Sequence, residues 1–192
     1  MVHSSSAQNQ PNPSKPRLIA SGLAVAAALG VWLTTGGSFL STSRGDSVPA
    51  EKQQQLLEEF SQVRDVELQP VNLADPAEKE QAMASLDLPT PEAKQIINDA
   101  EKGEVKLAWI TLWDNADEDG DIVQVYSNGY TRSVTLNHHP KTLVIPYIHK
   151  GQIVVTGVHD GGGGITVSAK TAGGSIPFPS MAEGQKFTLP LQ

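Results

Sequence analysis

The densest group of residues able to do chemistry is the run Asp114-Asn115-Ala116-Asp117-Glu118-Asp119-Gly120-Asp121, with five carboxylates in eight positions. Carboxylates so closely spaced repel one another, and a hard cation such as calcium offsets that repulsion. Aligned on Asn115, the run puts oxygen-bearing side chains at loop positions 1, 3 and 5, glycine at 6 and isoleucine at 8, as in a calcium loop between two helices. Asn115, Asp117, Asp119 and Asp121 are therefore the candidate calcium ligands. The pattern then breaks: position 12 is Tyr126 instead of a bidentate glutamate, and both flanks read as strands. An ion here would need another carboxylate from elsewhere in the fold. The competing reading is a solvated turn whose Asp and Asn side chains bond nearby amides, with Gly120 left-handed.

Four histidines, His138, His139, His149 and His159, fall near expected strand ends. Three convergent neutral imidazoles would make an open zinc site and a metal-dependent hydrolase. Adjacent strand residues face opposite ways, so His138 and His139 meet one metal only if the chain turns at Pro140. No His-x-x-x-His or His-Glu-x-x-His spacing is present, and exposed loop histidines are the better reading. Gly161 to Gly164, with Ala169-Lys170-Thr171 after them, approximates a phosphate-loop spacing. However, Ile165-Thr166-Val167-Ser168-Ala169 alternates as a strand, whereas a phosphate loop leads into a helix, so a glycine turn is expected instead. No Gly-x-Ser-x-Gly element offers a nucleophile elbow.

The elements positioning these residues change character along the chain. Residues 104–192 show short β-branched and aromatic runs at 105–113, 121–127, 130–137, 141–148, 152–159, 164–170 and 185–191. Asn128-Gly129 supplies the positive φ angles of a two-residue hairpin. Seven strands without crossover helices predict a mainly β, seven-stranded antiparallel β-sandwich, with an open-ended barrel as the alternative. On the first strand Trp109 and Trp113 share one face and Ile110 and Leu112 lie on faces of the other parity, so both faces require cover.

Residues 41–103 carry 13 acidic and 6 basic side chains. Leu56, Leu57, Phe60, Val63 and Val66 recur at helical spacing within 50–68. Asp75-Pro76-Ala77-Glu78 and Thr90-Pro91-Glu92 are helix starts, and Gly103 is placed to stop the third helix. The expectation is a partly helical, acidic spacer. Before it, residues 18–40 contain no charge, and 23 residues at 1.5 Å each suffice to cross about 30 Å of hydrocarbon. A single-pass transmembrane helix is the leading reading. A cleaved signal ending near Gly37-Ser38-Phe39 and a buried soluble helix are the alternatives. Lys15 and Arg17 lie close to the N-terminal edge of the span, which favours a cytoplasmic N-terminus and an exported C-terminal bulk. Gly22, Ala26 and Gly30 share one helix face and would permit a homo-oligomeric contact between spans. Residues 1–17, polar and proline-containing, read as a flexible cytoplasmic tail.

The net charge of −7 argues against a nucleic-acid partner, and the lack of cysteine removes disulfides, thiolate sites and lipid-modified cysteine. The passage Trp113-Asp114-Asn115 through Glu118-Asp119-Gly120-Asp121-Ile122-Val123, followed by Asn128-Gly129 and a Leu/Val-rich strand, resembles a recurring β-sandwich module of bacterial secreted and surface proteins. That resemblance covers about 90 residues, 104–192, and implies an exported, non-catalytic module without transferring any functional residue. The functional expectation is a membrane-anchored, extracytoplasmic protein with a binding or structural role toward a protein or glycan. A calcium-binding surface module is the second reading, and a metal-dependent hydrolase the third.

Overall fold

A computed structural model describes residues 48–192. The expected tail at 1–17, the span at 18–40 and the Gly22/Ala26/Gly30 face lie outside the described residues. Among the described residues, no helix is long and apolar enough to cross a membrane.

The described residues are mainly β, with two antiparallel sheets and three helices. Its elements are α1 (Ala50–Ser61), β1 (Gln69–Pro70), α2 (Pro76–Ser85), α3 (Thr90–Glu101), β2 (Lys106–Trp113), β3 (Ile122–Ser127), β4 (Tyr130–Thr135), β5 (Lys141–Tyr147), β6 (Gln152–His159), β7 (Ser168–Thr171), β8 (Gly174–Pro177) and β9 (Lys186–Pro190). In the first sheet β2 is central, pairing with β5 on one side and with β1 and β7 on the other, and β8 follows β7. The second sheet runs β4-β3-β6-β9.

Among the described residues there are nine strands, not the seven expected. The run at 164–170 forms a strand only from Ser168, and Ile165 makes an isolated bridge to Met181. The additional strands, β1 and β8, are two and four residues long. Both are too short to show a period, and their pairing partners define them. Between β3 and β4, Asn128 and Gly129 take φ of 46° and 82°, the two positive angles the hairpin needs.

Period-two alternation builds the core. Ala108, Ile110 and Leu112 of β2, Leu143 and Ile145 of β5, Val123 and Val125 of β3, and Ile153 and Val155 of β6 are all buried in one hydrophobic cluster. The opposite face of β2 is covered too: Trp109 is half-buried, and its indole N–H donates to Glu78 of α2 at 2.9 Å.

Residues 48–103 and 104–192 fall within one compact unit. The described part of the acidic segment packs into the folded body, because its narrow apolar faces find cover there. Val66 bridges Leu191, and β1 adds to β2. Helix α1 ends at Ser61, short of the expected 68, and Val66 and Leu68 are buried from extended chain.

Two helices close the sides of the sheet pair. Phe60 of α1 lies 4.8 Å from Phe178 and 5.0 Å from Phe187 of β9, measured between ring centroids. The Gln53 side chain brackets the Ser180 backbone, donating to its carbonyl at 2.8 Å and accepting from its N–H at 2.7 Å. Elsewhere the end of α2 joins β5 to β4. Val144 N–H donates to Ser85 Oγ, Arg132 donates to the Ser85 carbonyl, and the Tyr130 hydroxyl donates to the Leu86 carbonyl at 2.7 Å. Asp75 caps α2 by accepting from Ala77 N–H at 2.9 Å. Gly103, at φ 79°, ends α3 while Gly103 and Glu104 N–H donate back to Ala100 and Asp99.

Candidate metal centre

Strand parity carries two aspartates inward. Asp114 continues the alternation of Ala108, Ile110 and Leu112 past the end of β2, and Asp121 precedes Val123 and Val125 on the same side of β3. They are 1% and 0% exposed. The intervening loop folds back at Gly120, φ 100°, and returns Asp119 to the same place. One carboxylate oxygen from each of Asp114, Asp119 and Asp121 lies within 4.8 Å of the other two.

The segment linking β6 to β7 supplies the wall opposite. Asp121 accepts from Gly161 N–H at 3.0 Å through one oxygen and from Thr166 N–H at 2.8 Å through the other. Asp114 Oδ1 accepts from the Thr166 hydroxyl at 2.5 Å and from Ala116 N–H at 3.0 Å. Gly161 lies so close to the Asp119 backbone that a β-carbon there would overlap the Asp119 carbonyl. The glycine run forms the expected turn, with Asp160 accepting from Gly162 and Gly164 N–H.

Two oxygens in this group are buried without a partner, Asp114 Oδ2 and Asp119 Oδ1. Among the described residues, no lysine, arginine or histidine makes an ion pair with Asp114, Asp119 or Asp121. Burial pushes the Asp121 carboxyl up to about 6, against the two backbone hydrogen bonds that lower it, with Asp119 and Asp114 adding repulsion. The spacing is compatible with one cation: oxygens on a sphere of calcium–oxygen radius 2.3–2.6 Å are at most about 5 Å apart, which the 4.8 Å limit satisfies.

Of the four residues named from the sequence, Asp119 and Asp121 lie in the three-carboxylate group, and Asn115 and Asp117 lie outside it. Asn115 turns its amide toward β7, donating to Ser168 Oγ at 2.7 Å and to the Val167 carbonyl at 3.4 Å. Asp117 is exposed at the outside of the loop. Asp114 takes the missing place. A helix–loop–helix register set on Asn115 passes over it, whereas the alternation of β2 marks it as the inward position.

The histidines do not converge. All four are exposed and none belongs to the three-carboxylate group. His138 Nε2 lies 2.6 Å from the Ala116 carbonyl, and His159 Nδ1 lies 3.4 Å from Glu183. Comparison with protein-family models, curated proteins and solved structures finds no match to the chain.

Proposed function

We propose that the protein is a calcium-stabilised, non-catalytic module, held at a membrane by residues 18–40 with its folded unit exported, where it serves a structural or binding role toward a protein or glycan. In this reading the two sheets pack as a sandwich, as the resemblance of residues 104–192 to secreted and surface modules implies. Calcium is favoured over magnesium because carboxylates fixed by strand ends and hydrogen bonds suit a flexible coordination sphere better than a strict octahedron. The observation that carries the reading is Asp114 Oδ2, a carboxylate oxygen in a side chain 1% exposed, with no hydrogen-bond partner and no counter-charge among the described residues. Leaving such an oxygen bare is costly, and a bound cation removes the cost.

Calorimetric titration of the metal-stripped full-length chain in detergent tests the ion. One calcium per chain is expected, with an affinity of order 10⁻⁴–10⁻³ M, the range of extracellular modules. No heat and no melting shift at millimolar calcium would end this reading. A C-terminal fusion reporter with N-terminal sequencing of the mature protein tests the placement. An exported reporter on a chain that retains residues 18–40 supports it, and a cytoplasmic reporter refutes it.

A further inference from the structure

The segment 160–166 is the passage by which the chain leaves β6 of the second sheet and reaches β7 of the first. Its attachments are unevenly distributed. The bonds from Gly161 N–H, Thr166 N–H and the Thr166 hydroxyl all end on carboxylates of the acidic cluster. The bonds from Gly162 and Gly164 N–H stay inside the loop, on Asp160. The ends of the segment have further attachments: Ile165, fully buried, exchanges two backbone hydrogen bonds of 2.9 Å with Met181, and Asp160 N–H donates to Glu183 at 3.1 Å, so the cluster's own hold is on Gly161 and Thr166. Four consecutive glycines contribute no side chains, and Gly163 and Gly164 hold φ of 91° and 100°, a conformation that glycine alone adopts freely.

We propose that calcium occupancy of the Asp114/Asp119/Asp121 centre controls whether this crossover is docked or released. The inference rests on the calcium reading and adds regulation to it. With the ion bound, the carboxylates are drawn together and their outer lone pairs keep hold of the Gly161 and Thr166 donors. Without it, three like charges in one buried site push apart, and each displacement loosens a bond on which the crossover depends. The release is local because the remaining edges are fastened independently. The α1 closure uses phenylalanine rings, the α2 closure uses backbone carbonyls and Ser85, and neither draws on the cluster. The opened state is a protein with both sheets intact and an accessible glycine-rich segment, a ready target for proteolysis or for a partner.

Hydrogen exchange read by mass spectrometry on the full-length chain in detergent, in millimolar calcium and in chelator, tests the proposal. Amides of 160–166 are expected to exchange at least tenfold faster in chelator, while the 122–135 hairpin keeps its rate. The variant D114N should lose the calcium dependence, its 160–166 amides exchanging at one rate in both solutions. Where D114N does not fold, D119N, altered at a half-buried position, serves the same purpose. If calcium raises the melting temperature but 160–166 exchanges at the same relative rate as the hairpin, the gate is refuted and the calcium reading stands. If calcium changes neither melting nor exchange, both fail.

Discussion

Phe60, Phe178 and Phe187 gather with ring centroids 4.8–6.1 Å apart, while Asp114, Asp119 and Asp121 bring ligand oxygens within 4.8 Å of one another. Both are tight three-residue groupings, the rings brought together from distant segments and the carboxylates from a single eight-residue run, and they obey opposite physics. The rings are held by removal of apolar surface from water, which requires nothing beyond the chain itself. The carboxylates repel, and among the described residues two of their oxygens are unpartnered and no basic side chain makes an ion pair with them. A fold can therefore fasten one region with its own atoms and leave another to a solute, and the second kind of fastening responds to solution conditions.

The contrast can be broken first at the rings. Phe178→Ala, at a position 1% exposed, should cost about 3–5 kcal/mol in denaturant melts. That loss should be the same in calcium and in chelator. A loss that depends on calcium would show that the two regions are not independent.

Next in size is pH. Without metal, Asp121 has a folded value of about 6 against its ordinary 3.8, so between those limits the folded state binds the proton more tightly than the unfolded state. Stability should therefore rise as pH falls through that window, by up to about 3 kcal/mol for this group. Calcium reverses the direction: the ion keeps Asp121 ionised, and its stabilisation is lost as protons displace it below about pH 6. Denaturant melts between pH 4 and 7, in chelator and in calcium, measure both slopes. Parallel slopes would contradict the account.

Asp114→Asn should abolish the calcium-induced gain, about 2.7 kcal/mol at a hundredfold excess over Kd. In chelator the same variant should be at least as stable as the parent, since it removes one of three repelling charges. The smallest effect belongs to the α2 closure. Tyr130→Phe deletes the hydroxyl bonded to the Leu86 carbonyl and should cost about 1 kcal/mol in thermal melts, unchanged by calcium.

What the sequence made readable follows the range of each interaction. The Asn128-Gly129 hairpin, the Asp75 cap and the Gly103 stop are settled by a few neighbouring residues, and all three are present. The alternation of β2, β3 and β6 was equally plain because one face of each is dry. β1 and β8 were not legible, since strands of two and four residues exist only through their partners. Nor was the role of α1 and α2 in closing the sheets, which depends on Phe178, Phe187, Tyr130 and Arg132, all far away in sequence. At the acidic run a calcium-loop template taken from helix–loop–helix folds names Asn115 and Asp117, which lie outside the three-carboxylate group, and omits Asp114, which lies in it. The inward parity of positions 108, 110, 112 and 114 holds the information that the template missed.

The most direct measurement is a crystal structure grown in millimolar calcium, with anomalous scattering recorded to identify the ion. The account predicts one calcium 2.3–2.6 Å from oxygens of Asp114, Asp119 and Asp121, with Asp114 Oδ2 among its ligands. A water molecule at that position, or carboxylates sharing a proton there at neutral pH, would contradict it.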